Sequence, residues 1–388
     1  MKHYAKWFAI VFLVLCFFFS CTQVRKNTIT GHIEGLQAGD RIVLASWHAS
    51  QDRWVADDSV TVKKPGEFTL KTYDKDEALR LFLVPQGDTV SVSDGQTPYL
   101  QLFVEGLGEY TLTGEASDFS SAKISGGVYE YPEVRQIDSL GILQVGLRQE
   151  YAALDRTDTA ALGRFSARWQ AVADSILAAQ QAVVRRYPDH RFAAWVLADL
   201  GYSYDAEEIA VIDSLYQGLS EQAQKCLYGR QVRKLVDNVR HSAVGATAPD
   251  FTLTTLEGDT LRLSDLRGKW TVVDFWASWC NPCRKYNPHM VALYEKYHPA
   301  GLEVVGVAVW DQQDDWRRAV AEDALPWANV NAGEKVKGQD NVGDTYAIRS
   351  VPTTLLLDPE GKIVYRGHPA EIEAALQQAF PSGKRGRH

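Results

Sequence analysis

Cysteine is scarce in this sequence, and long apolar runs are missing after the first twenty residues. Five cysteines in 388 residues are too few for a disulfide framework, and the 45% hydrophobic content is typical of globular cores. No later segment reaches the roughly 20 apolar residues of a membrane-spanning helix. Lysine and arginine form no basic stripe, and 41 basic against 49 acidic residues give a formal net charge of -8. That pattern argues against nucleic acid as the main partner.

Residues 1–20 have the pattern of an export signal. The basic start "MKHYAK" is followed by the 13-residue apolar run "WFAIVFLVLCFFF". That run is short for a membrane span and suits the core of a signal peptide. Ser20 followed by Cys21 resembles a bacterial lipoprotein cleavage site, which implies that Cys21 becomes a lipidated N-terminus. We expect a lipid-anchored protein of the cell envelope that faces the periplasm; an uncleaved anchor and plain secretion are the alternatives.

Three cysteines remain once the signal is removed and Cys21 carries lipid. Cys226 is expected to be a buried small side chain. Cys280 and Cys283 belong to "WASWCNPC" and could form a zinc site, a structural disulfide or a reactive dithiol. Zinc needs four ligands, and no second half-site stands at the right spacing. A structural disulfide across so short a loop would remove little chain entropy. The reactive dithiol is therefore favoured, without a metal or other cofactor.

The chain length predicts two or three domains. Residues 28–118 contain short alternating apolar runs broken by glycine, proline and aspartate, which predicts a small antiparallel β domain. Residues 130–240 show helical spacing and predict four to six helices. Residues 243–380 predict the order β-α-β-α-β-β-α and a mixed sheet flanked by helices. The predicted fold class is therefore multidomain, with a β domain, a central α-helical region and a C-terminal α/β domain.

The local structure around the cysteines favours a reactive thiol. A buried strand at 271–277 leads into a helix predicted from Asn281 to Tyr297. Cys280 then lies at the helix N-terminus, where unpaired N–H groups and the dipole favour a thiolate. Pro282 suits the first turn, because its missing N–H would have no partner there. Cys283, one turn along, is placed to attack a mixed disulfide formed at Cys280.

The stretch "VVDFWASWCNPC" resembles the active-site strand and turn of the thioredoxin superfamily. The stretch "SVPTTLLLD" is similar to the superfamily loop that faces the dithiol, which implies a cis-proline at Pro352 after Val351. "APDFTLTTLEGDTLRLSDLRGKW" resembles the lead-in of the membrane-tethered, TlpA/ResA-like branch. The resemblance covers residues 243–380. The front half resembles a β-domain of unknown function that precedes thioredoxin modules in Gram-negative lipoproteins, and this implies no activity.

The resemblance implies a role for each matched residue. Cys280 would be the attacking thiolate and Cys283 the resolving thiol. Asp274, six residues before Cys280, would be a buried carboxylate that accepts or returns the proton of Cys283; a polar residue paired with a nearby donor is the alternative. Asp311 is a candidate second acid, with a solvated loop carboxylate as the alternative. The implied substrate groove consists of Trp279, Asn281, Pro282, Val351 and Pro352, whereas Trp276 is expected to pack internally.

These features predict a thiol:disulfide oxidoreductase. The uncharged Asn281 and Pro282 between the cysteines favour a reductase over an oxidant. Its partners would be client proteins with disulfides and a membrane thiol electron donor, and the tethered relatives serve cytochrome c maturation or general disulfide reduction. A thiol peroxidase is disfavoured, because Ala277 stands three residues before Cys280 where that chemistry needs serine or threonine. A binding lipoprotein with a vestigial dithiol is the alternative from another class.

Overall fold

The structure is a computed structural model that describes residues 27–48, 53–72, 77–93, 97–201, 209–333 and 340–381. The predicted signal at 1–20 and the lipidation site Cys21 lie outside the described residues. The described residues fall into two compact units that divide between Trp195 and Val196. None of the helices in these ranges is long and apolar enough to cross a membrane.

The first unit begins with two four-stranded sheets. Their strands are β1 (Asn27–Glu34), β2 (Arg41–His48), β3 (Arg53–Thr61), β4 (Glu67–Thr72), β5 (Glu77–Val84), β6 (Leu100–Val104), β7 (Glu109–Glu115) and β8 (Lys123–Ser125). The strand orders are β4-β1-β7-β8 and β3-β2-β5-β6. The alternation of apolar and polar residues explains the burial pattern of β1, where Ile29 and Ile33 are buried while Thr30 and Glu34 are more exposed.

The prediction of an antiparallel β domain holds for the second sheet but not fully for the first. Strands β1 and β7 run parallel, with Thr28 opposite Glu109 and Glu34 opposite Glu115. Five strands separate β1 from β7 along the chain, which allows the crossover that parallel pairing requires. The first sheet is therefore mixed.

Six helices of the described residues follow, in agreement with the expected four to six. They are α1 (Pro132–Ala153), α2 (Thr159–Arg186), α3 (Arg191–Leu200), α4 (Ile209–Gly218), α5 (Glu221–Lys225) and α6 (Leu227–His241). Helix α2 begins after Asp158, whose carboxylate accepts the N–H of Ala161 at 2.9 Å. The division between the two compact units falls within α3. The domain limits drawn from the sequence stay predictions.

The C-terminal region contains a five-stranded mixed sheet with strand order β13-β12-β11-β14-β15. Its elements are β9 (Thr252–Thr254), β10 (Thr260–Arg262), β11 (Trp270–Trp276), α7 (Asn281–Tyr297), β12 (Leu302–Ala308), α8 (Gln313–Glu322), β13 (Ala328–Asn331), α9 (Val342–Thr345), β14 (Thr353–Leu357), β15 (Ile363–Gly367) and α10 (Ile372–Ala379). Strands β11, β12 and β13 are parallel, and β14 and β15 are antiparallel to their neighbours. The predicted α/β fold class is confirmed, and so is the mixed sheet.

The predicted element order omitted β13, the short β9–β10 hairpin and α9. Strand β13 has four residues, of which Asn329 and Asn331 are disfavoured in strands. Both asparagines are nevertheless buried at this sheet edge. A short segment with polar side chains carries too little alternation to be recognised as a strand.

Candidate active site

Cys280 and Cys283 form a disulfide at the start of α7. Cys280 is the N-cap residue of that helix, and its Sγ accepts the N–H of Cys283 at 3.1 Å. Pro282 lies in the first turn, where the missing N–H leaves no helical bond unmade. Both cysteines are largely buried, with 4% and 2% of their surfaces exposed. The N-terminus of α7 therefore directs the backbone N–H of Cys283 at the first sulfur.

The loop before β14 faces the same sulfur. The peptide bond between Val351 and Pro352 is cis, the form that the resemblance implies. The carbonyl oxygen of Val351 lies 3.7 Å from Sγ of Cys280. Val351 and Pro352 are half-buried, whereas Asn281 and Pro282 are exposed. The structure thus brings the predicted groove residues of both segments to the dithiol.

Two exposed tryptophans lie beside the dithiol. Trp279 is 59% exposed and Trp310 is 47% exposed, while Trp276 is buried. The indole N–H of Trp279 donates to the carbonyl oxygen of Trp310 at 3.1 Å. They line an open groove of about 240 Å³ together with Arg284, Asp311 and Arg318. Trp310 was not predicted as a site residue, although the sequence places this aromatic residue after a strand and directly before Asp311.

Asp274 is a buried carboxylate in the middle of β11. Only 4% of its surface is exposed, and Oδ1 accepts the hydroxyl of Thr354 at 2.7 Å. Burial disfavours the charged form and raises the pKa of Asp274 to about 6, and the Thr354 hydrogen bond opposes that rise. A group with this pKa changes protonation state near neutral pH, as an acid–base group requires.

The strand period places Asp274 on the sheet face that packs toward the cysteines. Val272 and Trp276, two residues to either side, belong to the buried cluster that contains Cys280 and Cys283. Side chains at i, i+2 and i+4 of a strand share one face. Asp274 therefore lies on the same face of β11 as the side chains that pack with the dithiol.

Asp311 anchors the loop that precedes the dithiol. It is 7% exposed, and its carboxylate accepts the N–H of Ser278 at 2.5 Å and the Ser278 hydroxyl at 2.6 Å. The alternative of a solvated loop carboxylate is wrong, because this side chain is buried and both of its oxygens accept hydrogen bonds from Ser278. Ser278 stands two residues before Cys280, so these hydrogen bonds fix the backbone that leads into the dithiol.

Replacing Asp311 with alanine is expected to loosen this loop. The substitution leaves two donors of Ser278 without their acceptor, which costs about 1 to 3 kcal/mol. Hydrogen exchange of peptides covering 276–283 should therefore accelerate in the full-length Asp311→Ala protein. The exposed Asp314 on α8 provides a matched control, and Asp314→Ala should leave exchange unchanged. Equal protection in the two variants would contradict the anchoring role.

Cys226 does not behave as the expected buried side chain. It is half-buried and caps α6, where its sulfur lies 3.4 Å from the N–H of Gly229. Cys226 is not among the buried core residues, and its sulfur accepts a helix N–H instead of packing in that core. In the part of the chain that the structure describes, histidine, cysteine, aspartate and glutamate form no group of three or more suited to a metal ion.

Comparisons with known proteins find relatives of the C-terminal region. A model of the AhpC/TSA family matches residues 244–366. The thiol-disulfide oxidoreductase ResA of Geobacillus thermodenitrificans is 38% identical over 121 residues, which are 31% of this chain and 67% of that protein. ResA of Bacillus cereus is 34% identical over 143 residues, 36% of this chain and 79% of that protein. The solved thioredoxin domain of a thiol-disulfide oxidoreductase from Bacteroides vulgatus is 31% identical, with a TM-score of 0.33, and the match covers 35% of this chain and 97% of that domain.

The matched segment contains the whole dithiol site. It includes the cysteine pair at the start of α7, the buried Asp274 and the cis-proline loop. Identity of this level over two thirds or more of the curated relatives shows kinship and not only a shared motif. The chain belongs to the ResA-like thiol-disulfide oxidoreductases, and its C-terminal region carries their thioredoxin-like domain.

Proposed function

We propose that this oxidoreductase reduces disulfides of client proteins outside the cytoplasm. The observation that carries the proposal is the position of Cys280 Sγ, which caps α7 and accepts the N–H of Cys283 at 3.1 Å. In the reduced protein the same N–H and the helix dipole stabilise a thiolate at Cys280. A thiolate is the species that attacks a disulfide.

The reaction proceeds in two exchange steps. The Cys280 thiolate attacks one sulfur of the client disulfide, a mixed disulfide forms, and the other client sulfur leaves as a thiolate that takes up a proton. Cys283 then loses its proton, attacks Sγ of Cys280 and releases the second client thiol. Two electrons pass to the client, and the enzyme ends with the Cys280–Cys283 disulfide.

Asp274 accepts the proton of Cys283 in the second step. Its position on the sheet face that packs toward the dithiol supports this role, as does a pKa of about 6 caused by burial. Thr354 is also the nearby donor that the alternative interpretation required. A donor does not prevent proton transfer, because the other carboxylate oxygen keeps its lone pairs.

Renewed reduction requires a dithiol donor. The signal pattern and Cys21 support a lipid-anchored protein that faces the periplasm, where a membrane thiol carrier would supply the two electrons. The uncharged Asn281 and Pro282 support a reducing pair. Maturation of cytochrome c and general disulfide reduction are the two tasks that the resemblance implies.

The Cys283→Ala variant is expected to stop after the first step. Mixed in reduced form with insulin, it should accumulate a mixed disulfide, because the resolving thiol is gone. Mass spectrometry under non-reducing conditions should show the added insulin chain, and dithiothreitol should remove it. Peptide mapping should place the bond at Cys280.

Two further variants make the trapping experiment decisive. The double variant Cys280→Ala/Cys283→Ala should form no adduct. Adding Cys226→Ala to the trapping variant should leave the yield unchanged, since Cys226 is the remaining described cysteine. An adduct that maps to Cys226, or none at all with insulin, would contradict the proposed function.

A further inference from the structure

Asp274 lies in a row of directly paired residues that crosses the five-stranded sheet. Paired residues in adjacent strands point to the same face. On the β12 side the neighbour is Gly306, which has no side chain, and on the β14 side it is Thr354. The row runs Asn329, Gly306, Asp274, Thr354, Gly367. The register thus places one hydroxyl directly beside the buried carboxylate.

The Thr354–Asp274 contact is fully internal. Thr354 has no exposed surface, and its hydroxyl donates to Oδ1 of Asp274 at 2.7 Å. A hydrogen bond to a carboxylate stabilises the ionised form, and its effect is large where water is excluded. Removing the hydroxyl therefore makes the carboxylate a weaker acid, while removing a distant hydroxyl does not.

Few other groups can compete with this hydrogen bond. The titratable side chains of the same buried cluster are Cys280, Cys283 and Tyr297, and the partly buried Tyr294 and Tyr365 pack against it. On the β12 side Asp274 faces Gly306. The remaining cluster members of the described residues are apolar or aromatic and carry no charge. The indole nitrogens of Trp327 and Trp276 lie 3.0 and 3.3 Å from the position that a Cβ of Gly306 would occupy. Burial and Thr354 are accordingly the two influences that set the proton affinity of Asp274.

We propose that Thr354 is a positioning residue that sets the pH range in which Asp274 accepts the proton of Cys283. The inference rests on the proposed function, since it concerns the second exchange step. Thr354 stands two residues after Pro352. Strand β14, which follows the predicted client groove, therefore also supplies the hydrogen bond to Asp274. The hydrogen bond from Thr354 thereby helps to keep Asp274 ionised at neutral pH, although this carboxylate is buried.

The Thr354→Val variant tests this inference in the full-length protein. Valine has a similar shape and no hydroxyl. Carboxyl ¹³C NMR of the oxidised protein should show the pKa of Asp274 rising by about one unit. The acidic limb of the pH profile for insulin reduction should move to higher pH by the same amount. From a pKa of about 6, this shift lowers the ionised fraction at pH 6 by about fivefold and changes little at pH 8.

Two matched variants separate the hydroxyl from general damage. Thr354→Ser keeps the donor and should restore both the pKa and the pH profile. Thr353→Val removes the neighbouring hydroxyl, which donates to the carbonyl of Ser350 at 2.8 Å, and should move neither. A merely structural role for Thr354 would lower the rate equally at all pH values.

The outcomes distinguish this inference from the proposed function. An unchanged pKa of Asp274 in Thr354→Val overturns the inference, although insulin would still be trapped on Cys280. If the pKa of Asp274 rises but the acidic limb of the insulin-reduction profile does not move, the inference is also overturned. Asp274 would then not be the base that accepts the proton of Cys283. Loss of trapping in Cys283→Ala contradicts the proposed function itself, whatever Thr354 does.

Discussion

Cys280→Ser is expected to reduce catalysed insulin reduction to the rate of dithiothreitol alone. The serine hydroxyl is protonated at neutral pH, and even its alkoxide could not form a disulfide with the client. Loss of the attacking sulfur removes both exchange steps, so kcat/KM should fall by roughly a thousandfold or more. The N-cap position tolerates serine well, so the helix itself should survive the change.

Cys226→Ser is the matched control for this experiment. It removes a half-buried sulfur that also caps a helix, and its activity should equal that of the wild type. Turbidity of the released insulin B chain gives the rate. Equal rates for wild type and Cys280→Ser would favour the binding lipoprotein with a vestigial dithiol.

The dithiol segment was predictable because its signals are local. The helix from Asn281 to Tyr297 has the predicted bounds, since Cys280 caps it and its apolar residues recur at helical spacing. Pro288 within the helix did not end it. Strand pairing was harder to predict from the sequence. Alternation shows which residues of β1 are buried but not whether β7 runs parallel to it.

The parts of the site that sequence did not reveal depend on contacts between distant residues. Asp311 and Ser278 are 33 positions apart, and their hydrogen bonds exist only because β11 and β12 are adjacent. Thr354 is 80 positions from Asp274, and sheet register alone makes them neighbours. Motif spacing could indicate Asp274 as a buried acid, but it carried no information about the donor beside it.

Asp274→Asn is expected to stabilise the α/β region at neutral pH while slowing the enzyme. Burial raises the pKa of Asp274 from 3.8 to about 6. The folded state therefore binds the proton more tightly than the unfolded state. The associated stability is fully present below pH 3.8 and is lost as pH rises through 6. At pH 8 ionisation of Asp274 has lowered the free energy of unfolding of the wild type by about 3 kcal/mol. The Asp274→Asn variant avoids this loss because asparagine cannot ionise.

Hydrogen exchange of β11 and β12 peptides in the oxidised, full-length protein measures this effect without assuming that both units unfold together. Protection in Asp274→Asn should exceed wild type at pH 8 after correction for intrinsic exchange, and the difference should fade toward pH 4. Asp314→Asn, an exposed change, should show no such trend.

The same substitution removes the proposed proton acceptor of Cys283, so insulin reduction at pH 7 should slow by about a hundredfold. A buried charge that costs stability but is needed for proton transfer should give this combination when it is removed: higher stability and a lower rate. Lower protection at pH 8 would show instead that the Thr354 hydrogen bond outweighs burial. In that case Asp274 would be a structural carboxylate, and the proton of Cys283 would leave by another route.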